Sequence, residues 1–130
     1  MADTSLAEKK IGLLVWKLSN HWQSKLRKIL KYYKLTLNEY LVLESIFDLS
    51  ENQKELSQNE ISIFAGIDIS VASVTFKLLE NKKLIMRRTK NDNRKKIVEM
   101  LANGINLYKK VQPLIPVSYT HLTLQTNREV

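Results

Sequence analysis

Eight basic side chains crowd into the fifteen residues from Lys82 to Lys96, against one acid, Asp92. They are Lys82, Lys83, Arg87, Arg88, Lys90, Arg94, Lys95 and Lys96. Ammonium and guanidinium groups at this density neutralise phosphates, and Arg94 at a loop tip can enter a narrow minor groove, where negative potential is focused. Asp92, two residues before Arg94, can orient it or simply form the turn. The preceding stretch has the opposite charge: Leu35 to Asn81 holds Lys54 and Lys77 against eight acidic residues. Such segregation is the electrostatic footprint of a nucleic-acid binder. An edge hairpin kept from aggregating by its lysines would show the same charge, so charge alone leaves both readings open. Just upstream, Ser70, Ser73, Thr75 and Lys77 supply short or flexible donors suited to base edges and phosphates.

These residues need a scaffold. Val71, Val74, Leu78 and Leu79 recur at steps of three and four, on or near one face, which predicts a helix. Asp68 or Ser70 can cap its start. Asn81-Lys82-Lys83 breaks the pattern. Leu84 to Arg88 then reads as a strand, Lys90 to Arg94 as a polar tip, and Lys95 to Leu101 as a returning strand with Ile97 and Val98 buried. Upstream, Ser57-Gln58-Asn59-Glu60 is a capping box that opens a helix to Ala65, with Ile61 and Phe64 inward. Gly66 stands just past its end, where a left-handed cap wants glycine. Two short helices joined by a glycine-containing turn make a helix-turn-helix. With a basic hairpin directly behind, it becomes a winged helix-turn-helix.

Thr36-Leu37-Asn38-Glu39 is another capping box, followed by a helix of Leu37 to Leu49 with Leu41, Leu43, Ile46 and Phe47 as core candidates. Before it, Thr4 or Ser5 can start a helix in which Leu6, Ile11, Leu14, Val15, Leu18, Trp22, Leu26, Ile29, Leu30 and Tyr33 recur at three and four. That is about 28 residues, or ~40 Å. The rest of the chain is too small to cover so long an apolar stripe, and Trp16 adds a second apolar edge. A partner helix from another subunit is the expectation. Gly104 to Val111 begins a further helix, interrupted by Pro113 and Pro116.

The whole chain sets the limits. Its 130 residues make one domain with a real core. Three glycines and two prolines argue for long helices. A net charge of +8 favours an anionic partner. Without cysteine there are no disulfides and no thiolate metal sites. No apolar run approaches a membrane span, and MADTSLAEKK lacks the pattern of a signal peptide, so a cytoplasmic protein is expected. There is no glycine-rich phosphate loop and no paired carboxylate with a plausible base, so no enzyme and no cofactor are expected.

The residues resemble the MarR-type (multiple antibiotic resistance regulator) transcription factors. The likeness runs from about Leu35 to Gly104. It covers LTLNEYLVLESI, S-x-x-E-I, A-G-I-D-x-S, K-L-L-E-N-K-K-L-I-x-R-R and N-D-N-R-K-K-I-V, with the D-x-R of Asp92 and Arg94 its most telling part. Two positions depart from the pattern. Val74 stands where a basic residue is common, and Lys83 replaces a glycine, which is tolerable if the turn avoids a positive φ.

The resemblance implies a mainly α fold with a small β-hairpin wing, and a homodimer on pseudo-palindromic double-stranded DNA, with repression as the expected sense. Ser70, Val71, Ser73, Val74 and Lys77 would lie on the recognition helix in the major groove. Arg87, Arg88, Lys90, Asp92, Arg94, Lys95 and Lys96 would form the wing in the minor groove. Leu14, Leu18, Trp22, Leu107 and Val111 would serve dimerisation, and a small lipophilic effector is implied. The expected divisions are 1–34 for dimerisation, 35–101 for DNA binding and 102–116 for the start of a second dimerisation helix. Residues 117–130, VSYTHLTLQTNREV, fit nothing upstream and resemble a translated sequencing adapter, in which Tyr119 and His121 carry no meaning. The alternative function is a winged helix used for protein interaction or RNA binding. An exposed apolar face on the Ser70–Lys77 helix would favour a protein partner, and a polar one duplex DNA.

Overall fold

The first helix divides in two by what covers it. A computed structural model of the chain describes residues 2–90 and 95–115, with side chains described from Ala7 onward. Helix α1 (Ala2–Tyr32) runs through Thr4 and Ser5 instead of starting at them. From residue 7 to residue 21 every side chain is exposed; from Trp22 onward the helix docks, and Leu26 and Leu30 are fully buried. It ends where Lys34 adopts a left-handed φ of 59° and the Leu35 amide donates to the Leu30 carbonyl, which satisfies an otherwise orphaned group.

Helix α2 (Leu37–Leu49) starts on the complete capping box. The Glu39 amide donates to Thr36 Oγ1 at 3.1 Å, and the Thr36 amide donates to Glu39 Oε1 at 2.9 Å. This helix is the spine of the core, with Tyr40, Val42, Leu43 and Ile46 buried. Leu41 and Phe47, expected in the core, are only half-buried.

Strand β1 (Leu56–Ser57) leads into helix α3 (Gln58–Ala65), followed by helix α4 (Ile69–Asn81), strands β2 (Ile85–Lys90) and β3 (Lys95–Met100), and helix α5 (Ala102–Val111). The sheet has three antiparallel strands in the order β1-β3-β2, where the sequence suggested two. Leu56 pairs with Val98 and Ser57 with Ile97. Adjacent Ile97 and Val98 point to opposite faces of the sheet and both are buried, Val98 in the main core cluster. The core gathers Leu26, Leu30, Leu43, Ile46, Ile61, Phe76, Leu79 and Val98 around α2. Gly104 lets α5 lie directly against the β2 entry, since a Cβ there would overlap the Leu84 carbonyl. Val111, expected on a dimer stripe, is fully buried in this core, and Leu107 and Trp22 pack against its edge. A 3-10 turn, Gln112–Leu114, carries Pro113. The fold is mainly α with a small β wing, as expected.

Candidate nucleic-acid interface

Helices α3 and α4 are bent by 113° at their break, within the range of a helix-turn-helix. Local chemistry sets that angle. Gly66 takes a φ of 70° at the end of α3, and the Ile67 amide donates back to the Ser62 carbonyl. At the start of α3 the Glu60 amide donates to Ser57 Oγ, and this is the half of the expected box that forms. Asp68 caps α4: it accepts from the Ser70 amide at 3.3 Å and from the Ser70 hydroxyl. Those bonds draw the Asp68 carboxyl below its ordinary range.

Helix α4 divides into a buried face and an exposed one. Ala72, Thr75, Phe76 and Leu79 are buried, while Val71, Val74 and Leu78 face outward with Ser73 and Lys77. Apolar residues lie on both sides of this helix, and bulk decides between them: Phe76 fills the core far better than a valine could. Thr75 is therefore not a donor to a ligand. Its hydroxyl is spent on the Val71 carbonyl at 2.8 Å. Phe64, expected inward, is 55% exposed, and Ser62 takes the buried position instead.

The wing residues divide by what they touch. Arg87 is largely sheltered: its guanidinium donates to Glu80 Oε1 at 3.0 Å and Oε2 at 3.4 Å, and to Gln58 Oε1 at 3.2 Å. It is thus committed to a bond between strand, α4 and α3, and it holds the Glu80 carboxyl low. Neither Gln58 nor Glu80 stood out in the sequence, because the pairing crosses 29 and 7 positions. Arg88 reaches Glu55 and Glu99 at 3.4 Å, and Lys90 reaches Glu55 at 2.6 Å. These are exposed pairs, screened by solvent and readily exchanged for phosphate. Lys95 and Lys96 are exposed and make no ion pair among the described residues. Asp92 and Arg94 lie outside the described residues, as do positions 117–130. Lys83 has a φ of 61°, so the turn does not avoid the left-handed region.

A second feature lies away from this face. A cavity of about 250 Å³ opens between α1, α2 and α5, walled by Trp22, Tyr40 and Tyr108 with Glu44 and Asp48. Burial, with Asp48 nearby, pushes the Glu44 carboxyl up, and burial with neighbouring Glu44 pushes the Tyr108 phenol up to about 12. Among the described residues no cluster of His, Asp or Glu could hold a metal ion, and no single helix is long and apolar enough to cross a membrane.

Residues 24–111 match the family described as Transcriptional regulator SarA/Rot. The chain belongs to this SarA/Rot family. The matched span begins where α1 meets the core and ends with α5, so it takes in the whole winged helix-turn-helix. SarA/Rot proteins are transcriptional regulators, not enzymes. The uncharacterized HTH-type transcriptional regulator YdcH of Bacillus subtilis is 27% identical over 106 residues, covering 82% of this chain and 71% of its own. In fold the chain is similar to a MarR-family regulator from Rhodococcus sp. RHA1, with a TM-score of 0.75 at 20% identity over 93% of this chain and 91% of that one. It is also similar to MepR of S. aureus as solved in a MepR–DNA complex, with a TM-score of 0.76 at 23% identity over 88% of this chain and 82% of that one. The MarR-type resemblance read from the sequence thus holds for the fold of this SarA/Rot chain.

Proposed function

We propose that the chain is a transcriptional regulator that binds double-stranded DNA as a homodimer, with α4 in the major groove and the β2–β3 wing along the minor groove. One observation carries this: α4 projects an uncovered face beside a hairpin whose Lys95 and Lys96 are exposed to solvent. The family match and the DNA complex of MepR support it. Ser70, Val71, Ser73, Val74 and Lys77 form the groove-facing surface. Arg88, Lys90, Lys95 and Lys96 serve phosphates, with Asp92 and Arg94 at the wing tip; Arg87 braces the wing from behind. Residues 35–101 make the DNA-binding part. Residues 1–34 and 102–116 make the dimerisation part; of the five side chains named for that role, Leu14 and Leu18 are uncovered. Repression by occupancy of a promoter, in the cytoplasm, is the activity this arrangement serves. The cavity beside Tyr40 and Tyr108 is the place for a small lipophilic effector.

The test is salt-dependent binding to duplex DNA by the wild type and a Lys95→Ala/Lys96→Ala variant. The variant should lower the slope of log affinity against log salt by about two for each protomer, about four for the dimer. An unchanged slope would take the wing off the phosphates. A second reading is favoured by the apolar side chains on the outer face, Ile63, Phe64 and Val74. On it the winged helix docks a protein, and the folded chain would bind duplex DNA negligibly even at low salt.

A further inference from the structure

The outward face of α4 lacks the side chains that read base edges best. Bidentate readout uses Arg or Lys on guanine and Asn or Gln on adenine. Between Ile69 and Leu78 there is no Arg, Asn or Gln, and Lys77 is the sole cation. Ser70 is already committed, because its hydroxyl donates to Asp68. The centre of the face is apolar: Val71 is 43% exposed and Val74 61%. Ser73 and Lys77 flank them.

A major groove offers such residues one apolar group, the C5 methyl of thymine. Val71 and Val74 are three residues apart on one helix, which sets their Cβ atoms about 5–6 Å apart. Successive bases on one strand rise by about 3.4 Å, so the pair spans between one and two steps. Both valines can therefore sit over methyls of neighbouring thymines. We propose that this chain recognises its target through thymine methyl groups, with Val71 and Val74 as the specificity-determining residues. The inference rests on the DNA-binding reading above. The exposed lysines Lys77, Lys95 and Lys96 favour a polyanion over an uncharged protein groove as the occupant.

The experiment compares the full chain on two duplexes of one AATT-repeat sequence, which sets thymines on successive bases of a strand, one made with thymidine and one with deoxyuridine throughout, at low and moderate salt. The two share phosphates and hydrogen-bonding edges and differ by the methyl. Each methyl desolvated against a valine is worth about a fourfold factor in affinity, so the uracil duplex should bind about sixteenfold more weakly for each protomer engaged. A Val71→Ala/Val74→Ala variant should bind both duplexes alike, at the wild-type level for uracil, with an unchanged salt slope. Equal binding of the wild type to both duplexes overturns the inference and leaves the DNA reading intact. So does a thymine preference that survives in the double variant. No binding to either duplex by the folded chain overturns the DNA reading too, and passes this face to a protein partner.

Discussion

Helices α1 and α4 both carry apolar side chains into solvent, but in different company. On α1, Leu13, Leu14, Val15 and Trp16 are consecutive and each more than half exposed. Consecutive residues point all round a helix, so this part of α1 stands clear of the body and is greasy on several sides. On α4 the exposed Val71, Val74 and Leu78 alternate with Ser73 and Lys77, and the opposite side is sealed into the core. The difference indicates what each surface is for. A continuous apolar cylinder is satisfied by another apolar helix; a mixed strip over a rigid base suits a mixed surface such as a base-pair edge.

The contrast within α4 should show the largest energetic gap. Phe76→Ala should destabilise the fold by about 3–5 kcal/mol, since the ring is fully buried. Val74→Ala, on the outer face, should change stability by no more than about 0.5 kcal/mol. Comparable losses in urea melts would remove the distinction between the two faces. For α1, Leu14→Glu/Leu18→Glu should turn a dimer into a monomer by light scattering, at a cost of about 3 kcal/mol or more from burying charge, while the secondary structure stays intact. A variant that remains dimeric would move the subunit contact off this stripe.

Smaller effects refine the frame that holds α4. Lys83→Gly should stabilise the chain by about 1 kcal/mol, because glycine adopts the left-handed φ without strain. Last is a pH effect. Burial raises the Glu44 carboxyl in the folded state, so its contribution is favourable below the ordinary carboxylate range and lost as pH rises through the raised value. Glu44→Gln should therefore gain on the wild type as pH climbs from 4 to 8, read as a widening difference in Tm. A constant difference would show that Glu44 keeps its ordinary ionisation.

Much of this architecture was legible because local chemistry announces it. The Thr36–Glu39 box, Gly66 and the charge reversal at Lys82 each mark a boundary that the structure places there. What escaped had non-local causes. Strand β1 is two residues long, too short for any periodicity, and exists because β3 is there to pair with it. Which face of α4 packs inward stayed open, because the run from Ile69 to Leu79 has apolar residues on both sides and only the space beside α2 selects Phe76. Arg87 read as one more wing cation until Glu80 and Gln58 came within reach of it. Val111 keeps helical spacing with Leu107 whether it meets a partner or its own core, and the structure buries it.

The Arg87 guanidinium has a mechanical consequence. One planar group ties β2 to the last turn of α4 and the first turn of α3, so strand and helices behave as a single stiff caliper. A caliper of fixed gape does not adjust to the object it measures. If the duplex lies as proposed, the nucleic acid must supply the compliance, narrowing or bending until its grooves meet both jaws. Sequences that flex cheaply would then be favoured even at base pairs no side chain touches.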